Sequence, residues 1–175
     1  MDFTSWGNRR KNHIDLFDDH DNTIATFPID IHAEQTVDVD GVAWTLSSDK
    51  KILRAVIAGG EEFVADAGEK GFARSKRIEI SLGDRNVRAI NENRNDWVYV
   101  DSDPEETKIG QFSGGNSGVR KSYTEFEKDS RLNLQQKVFL SAVTRTELEA
   151  KLSSFTLGLF FFILLLMPAV VWALL

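Results

Sequence analysis

The densest group of potential ligands lies between His13 and Asp21, where His13, Asp15, Asp18, Asp19, His20 and Asp21 crowd together. Such a set would suit a divalent cation. It fails as a calcium loop, because neither the glycine nor the closing glutamate falls at its place after Asp18 or Asp19. A polar hairpin turn accounts for all six residues. Asp101, Asp103, Glu105 and Glu106 form a second acidic stretch, broken by Pro104. It reads as a solvated turn with the charge to meet a basic partner surface. Gly114, Gly115 and Gly118, followed by Arg120 and Lys121, invite comparison with a phosphate-binding loop. The order is not G-x-x-x-x-G-K-[ST], and a strand rather than a helix follows, so a flexible hairpin loop is expected. The glycines of GEKG (68–71) read as another turn. Two basic clusters remain, Arg9-Arg10-Lys11 and Arg74, Lys76, Arg77. Beside an anionic leaflet each such side chain contributes about 1 kcal/mol of attraction. No Ser–His–Asp set, HExxH, GxSxG or GxGxxG is present. The chain is therefore read as non-catalytic, with no cofactor, no metal and no small-molecule substrate.

Composition narrows the partners. The chain has 175 residues, 21 basic and 27 acidic, for a net charge of −6. That balance disfavours nucleic acid. There is no cysteine, so disulfides and thiolate metal sites are excluded. The absence fits a reducing compartment. Three histidines and two tyrosines leave little for acid–base work near neutral pH.

Residues 155–175 read FTLGLFFFILLLMPAVVWALL, with no charge and one polar side chain, Thr156. A helix of that length spans about 30 Å, the thickness of a bilayer core. It has no polar face, so a surface-lying helix does not fit. Within the span Phe155 opens the run, Pro168 is tolerable as a mild kink, and Trp172 suits the far interface. Gly158 is the best point for close helix approach, and Phe160, Phe161 and Phe162 face lipid or fill grooves in a partner. Lys137, Arg145 and Lys151 precede the span and no charge follows it. The positive-inside bias then keeps the N-terminal part cytoplasmic, with the C-terminus reaching the opposite face. MDFTSWGNRRK at the start lacks the apolar core of a signal peptide. A tail-anchored, single-pass membrane protein is expected. The competing possibility is that 155–175 is a buried core helix.

The preceding stretch reads as short strands separated by Asp, Asn, Gly and Ser clusters. About eleven are expected, from HIDLF (13–17) and TIATF (23–27) to KIGQF (108–112) and VRKSYTEFE (119–127). Asp40-Gly41, between TVDV and VAWTL, is the strongest hairpin signal. Near Asp129 the period changes. Leu134, Val138, Phe139, Ala142 and Val143 recur at helical spacing and give one apolar stripe. Thr146 and Glu149 form a potential capping box for a new helix leading into the span. The expected organisation is an N-terminal tail (1–11), an antiparallel β-domain (12–128), a helical segment (129–152) and a transmembrane helix (153–175). The fold class is mainly β, an antiparallel barrel around or beside a short helix.

The hairpin HIDLFDDHDNTIATF, then DGVAWTL, KIGQF with its isolated Gly110, SYTEFE and the apolar LNLQQKVFLSAV together resemble the tubby C-terminal-like group, which includes LURP-one-related proteins and phospholipid scramblases. The resemblance covers residues 8–145. It implies a closed barrel of about twelve strands around a hydrophobic helix, with lipid or protein binding and no enzyme activity. The basic residues that such domains use for lipid head groups cannot be matched position by position. Arg74, Lys76, Arg77 and Lys151 are the candidates for head-group contact.

Two functions fit. One is an accessory or adaptor subunit, its helix packed in a larger integral membrane complex; a respiratory-chain assembly is one host of suitable form. The other is a membrane-anchored domain that binds or senses lipid.

Overall fold

The computed structural model describes residues 1–30, 33–93, 95–113, 119 and 122–174, with side chains as far as residue 156. Twelve strands follow in order: β1 (Phe3–Trp6), β2 (His13–Phe17), β3 (Thr23–Pro28), β4 (Gln35–Val39), β5 (Val42–Ser48), β6 (Ile52–Ile57), β7 (Glu62–Asp66), β8 (Arg77–Leu82), β9 (Asn86–Asn93), β10 (Asp96–Asp101), β11 (Lys108–Ser113) and β12 (Tyr123–Phe126). A short 3-10 turn (Lys128–Ser130) leads into a single helix, α1 (Leu134–Leu174). Each strand pairs antiparallel with its neighbour in sequence, and β1 pairs with both β2 and β12. The sheet is thereby a closed barrel without free edges.

The hairpins form where the residues allow them. Val39 pairs with Val42 across Asp40-Gly41, both with positive φ (50° and 79°). That is the geometry a two-residue turn between twisted strands requires. Along the strands buried and exposed positions alternate, as in Leu53, Ala55 and Ile57 of β6. The inward set lines the lumen.

The sequence reading left β1 inside an N-terminal tail. FTSW is only four residues long, and its partner β12 lies more than a hundred residues away, at Phe3↔Glu125 and Ser5↔Tyr123. Local pattern alone does not expose such a strand. The barrel therefore begins at Phe3, and β1 is the strand that closes it.

α1 fills the lumen. Every residue from Val138 to Leu148 is buried, on all faces of the helix. Eleven residues of helix run about 16 Å, enough to pass through the barrel. Its neighbours encircle it: Trp6 of β1, Trp44 of β5, Tyr99 of β10 and Thr124 of β12 all touch it through hydrogen bonds. Phe139 packs against Phe63 and Trp44 with ring centroids 5.4 and 6.4 Å apart. The sequence-based stripe is thus one part of a helix buried all round. The segment inside the barrel is 138–148, and residues 152–156 beyond it are exposed.

The capping box lies elsewhere than expected. Asn133 Oδ1 accepts from the Gln136 amide at 2.9 Å, and Gln136 Oε1 accepts from the Asn133 amide at 3.1 Å. This reciprocal pair starts the helix at Leu134. Thr146 starts nothing: its hydroxyl donates to the Ala142 carbonyl within the same helix at 2.9 Å. The helix is one continuous backbone to Leu174, with no second start. Among the described residues no helix is long and apolar enough to cross a membrane. The side chains of Gly158, Phe160, Phe161, Phe162, Pro168 and Trp172 lie outside the described residues, as does the loop with Gly114, Gly115, Gly118, Arg120 and Lys121.

Candidate functional site

Up-and-down connectivity sorts the loops. Alternate connections emerge at the same mouth of the barrel. β12 ends and α1 begins at one mouth, so α1 leaves at the other. Among the described residues the exit mouth is made by connections 7–12, 29–30 with 33–34, 49–51 and 67–76. The far mouth is made by 18–22, 40–41, 58–61, 83–85, 102–107 and 127–133.

The charges separate with them. Among the described residues the exit connections carry Arg9, Arg10 and Lys11, then Lys50 and Lys51, then Lys70, Arg74 and Lys76. Against these stand Asp30, Glu34, Asp49 and Glu69. Apart from the connection into α1, the far connections carry Asp18, Asp19 and Asp21, then Asp40, Glu61 and Asp84, then Asp103, Glu105 and Glu106, with Arg85 the one cation among them. The connection into α1 is balanced, with Glu127 and Asp129 facing Lys128 and Arg131. The chain is acidic overall, yet the mouth from which α1 emerges is basic.

At this exit mouth a groove of about 820 Å³ opens between α1 and the surrounding loops. Its volume lies in the range of about 300–1,000 Å³ typical of small-molecule sites. The helix contributes Thr146, Glu149, Ala150, Leu152, Ser153 and Ser154. The loops contribute apolar Ile29, Phe72 and Ala73 and the cations Arg9, Lys50, Lys70 and Arg74. None of these four cations has an ion-pair partner among the described residues, whereas two of the groove's carboxylates are engaged. Asp49 accepts from the amides of Lys51 and Ile52, at 2.6 and 2.7 Å. Glu149 pairs with Arg145 at 3.0 Å.

The loops are held for this. Phe72 is fully buried, and its amide donates to the Lys50 carbonyl at 3.0 Å. Gly71 has a positive φ of 65°, and a Cβ there would stand 2.5 Å from that carbonyl. Only glycine allows the approach. Connection 67–76 is thereby stitched to 49–51, which sets Lys70 and Arg74 beside Lys50.

Two buried charges fix the helix where it leaves the lumen. Arg145 is 1% exposed. Its Nη2 donates to the carbonyls of Pro28 and Ile29, at 2.8 and 3.0 Å, and the guanidinium lies 5.4 Å from the Trp6 ring centre. Burial lowers its pKa, and Glu149 opposes that shift. Glu147, 2% exposed, lies on the other flank with Lys151 as its ion-pair partner. Burial pushes its carboxyl up, while Lys151 and Trp97 hold it down. Deeper in, the Tyr99 hydroxyl donates to the Leu140 carbonyl and meets Thr144 Oγ1, at 3.0 and 2.7 Å. Burial raises its pKa.

The sequence-based head-group candidates separate. Arg74 lines the groove. Lys76 is at the same mouth but donates to Asn91 Oδ1 at 2.5 Å. Lys151 is committed to Glu147 and lies 5.4 Å from the Trp97 ring centre. Arg77 begins β8 on the outer wall and pairs with Glu79. Arg9, Lys50 and Lys70 gather with Arg74 although the sequence spreads them over more than sixty positions. Listing alternate loops of an up-and-down barrel would have found them.

The acidic hairpin is self-contained. Asp18, Asp19 and His20 bring their ligand atoms within 4.8 Å of one another. Asp18 accepts from the amides of His20 and Asn22, at 2.9 and 2.8 Å, and Asp19 accepts from the Asp2 amide at 2.6 Å. Hydrogen bonds of this kind, the Asn22 side chain first for Asp18 and the Asp2 amide first for Asp19, lower both pKa values. At the far mouth Arg85 forks onto Asp101 with two 2.6 Å contacts and reaches the Ser130 carbonyl at 2.6 Å. It ties the barrel to the turn that launches α1.

Comparison of the chain with known protein families, with characterised proteins and with solved structures gave no match.

Proposed function

We propose that this protein is a non-catalytic, membrane-anchored barrel that rests its basic mouth on an anionic lipid surface. The observation that carries the reading is the path of α1. One helix runs from the lumen, out through the basic mouth, and on as the uncharged segment 155–175. Insertion of that segment in a bilayer brings the basic mouth to the head groups and turns the acidic mouth away. Leu152 (52% exposed) and Phe155 (72% exposed) then lie at the level where the helix enters lipid. Desolvating them there contributes to docking, and the rim cations add a salt-dependent attraction.

A closed twelve-strand barrel around a central helix is also the architecture implied by the tubby-like resemblance. The second reading is an accessory subunit of an integral membrane complex, with the barrel on the cytoplasmic face. The acidic far mouth favours it, since a partner's basic surface would find the complementary charge there.

The test is flotation of the full chain with vesicles. The native chain should float and resist alkaline extraction. A Leu164→Arg, Leu165→Arg variant should be released by alkali and should bind anionic vesicles only at low salt. Equal, salt-insensitive recovery of that variant on neutral vesicles would contradict the proposal.

A further inference from the structure

Where α1 leaves the lumen, two ion pairs of opposite sense straddle the mouth. On one flank Arg145 is buried and its partner Glu149 stands outward. On the other Glu147 is buried and its partner Lys151 stands outward. The outer members are each about a quarter exposed. The inner members differ in one respect. A guanidinium keeps its charge, whereas a carboxyl can take up a proton. We infer that Glu147 and Lys151 form a proton-driven switch, in which proton uptake by the buried carboxyl releases Lys151 from the Trp97 ring to the solvent around the mouth.

The surroundings of Glu147 make its charge depend on Lys151. It shares an apolar slot with Ile78 of β8, Ala89 of β9, Trp97 and Tyr99 of β10 and Phe112 of β11. Neither carboxyl oxygen closes a regular hydrogen bond, and Trp97 turns its indole N–H toward the carboxyl without closing one either. The Tyr99 hydroxyl is spent on Thr144 and the Leu140 carbonyl, and burial keeps it neutral. Among the described residues two cations bear on the carboxyl. Lys151 touches it, and Lys76, before β8, is held by Asn91 Oδ1. Glu149 lies on the opposite flank with Arg145.

A buried carboxylate with one close counter-ion is costly to keep charged. Burial accordingly favours the protonated form, and Lys151 opposes it. Once the carboxyl is neutral, Lys151 keeps only the Trp97 ring, 5.4 Å away, a weak partner for an ammonium that water can reach. Its long stem turns outward by side-chain rotation, with no movement of the helix. The mouth thus carries one more positive charge below the titration than above it. The switch stands without the membrane-facing reading. Joined to it, the pull of this mouth toward an anionic surface rises as pH falls.

The full chain, labelled with fluorotryptophan, would be titrated in neutral detergent and followed by fluorine NMR, with the Trp97 signal assigned by Trp97→Phe. That signal should move in one step with a midpoint above the ordinary carboxyl value of 4.5, while Trp44 stays still. In Glu147→Gln the step should vanish, with the signal resting at the acid limit of the native chain. Lys151→Met should move the midpoint upward, because it removes the charge that favours the carboxylate. Gln keeps the shape of Glu147 and Met keeps the stem of Lys151, so neither variant opens a cavity. At one fixed pH above the step, an amine-acylating reagent should modify Lys151 severalfold faster in Glu147→Gln than in the native chain, with exposed Lys128 unchanged. A Trp97 step that persists in Glu147→Gln, a midpoint indifferent to Lys151→Met, or equal acylation of Lys151 in both chains would each overturn the switch. No lipid enters these measurements, so their failure leaves the membrane-facing reading standing, and failed vesicle flotation leaves the switch standing.

Discussion

Tyr99 and Glu147 show how the lumen handles polar groups. The Tyr99 hydroxyl, fully buried, satisfies Thr144 and the Leu140 carbonyl. Tyr99→Phe removes one partner and leaves the others buried, at a cost of about 1–3 kcal/mol. Urea unfolding of the full chain in mild detergent should show that loss without a change in slope. Glu147 behaves oppositely. Burial holds its folded pKa above the ordinary value of 4.5, so the folded chain binds this proton more tightly than the unfolded one. The associated stability is complete below the unfolded pKa and is lost as pH rises through the folded one. Glu147→Gln should therefore flatten the decline in stability from pH 4.5 upward. Parallel pH profiles for the two proteins would show that the carboxyl is not the group responsible.

Among the elements, β1, the head of α1 and the β3–β4 seam decide whether the barrel stays closed. Trp6 buries fully, stacks edge-on with Phe27 at 5.2 Å and donates to the Ser141 carbonyl at 3.2 Å. Trp6→Ala should cost about 3–5 kcal/mol, because it opens a cavity between strand and helix. Asn133→Ala, which breaks the reciprocal cap, should cost about 1 kcal/mol. The β3–β4 ladder shows a single register pair, Ala25↔Val39, where β9 and β10 share six. Amide exchange should enter the barrel at that seam first. Protection there equal to that of β9–β10 would contradict this. The hairpins were legible in the sequence because their turns need particular residues: Asp40-Gly41 and Gly83 sit where positive φ is demanded. β1 was not, since its only long pairing is with the other end of the domain. The helix was half legible. Its apolar stripe announced itself, but Arg145 read only as a cation preceding the span and Glu147 did not stand out, and only the surrounding carbonyls, Trp6 and Lys151 explain their burial. The groove was the least legible part: Arg9 and Arg74 stood out in two separate basic clusters, but barrel closure and not sequence proximity brings them together with Lys50 and Lys70.

At the scale of the whole molecule the barrel is an electrical dipole pierced by its own helix. The acidic mouth holds the start of α1 and the basic mouth its exit. The net charge of −6 hides this, because the sum erases the separation. The central claim is that the basic mouth faces the bilayer. It can be measured directly, because the chain has no cysteine and any introduced one is unique. Asn8→Cys on the exit rim and Asp103→Cys on the far rim are both exposed positions for a fluorophore. Each labelled full-length chain would be reconstituted in anionic vesicles carrying a head-group quencher. The account predicts strong quenching at position 8, weakened by salt, and little at position 103. Equal quenching at both positions, or stronger quenching at 103, would contradict it.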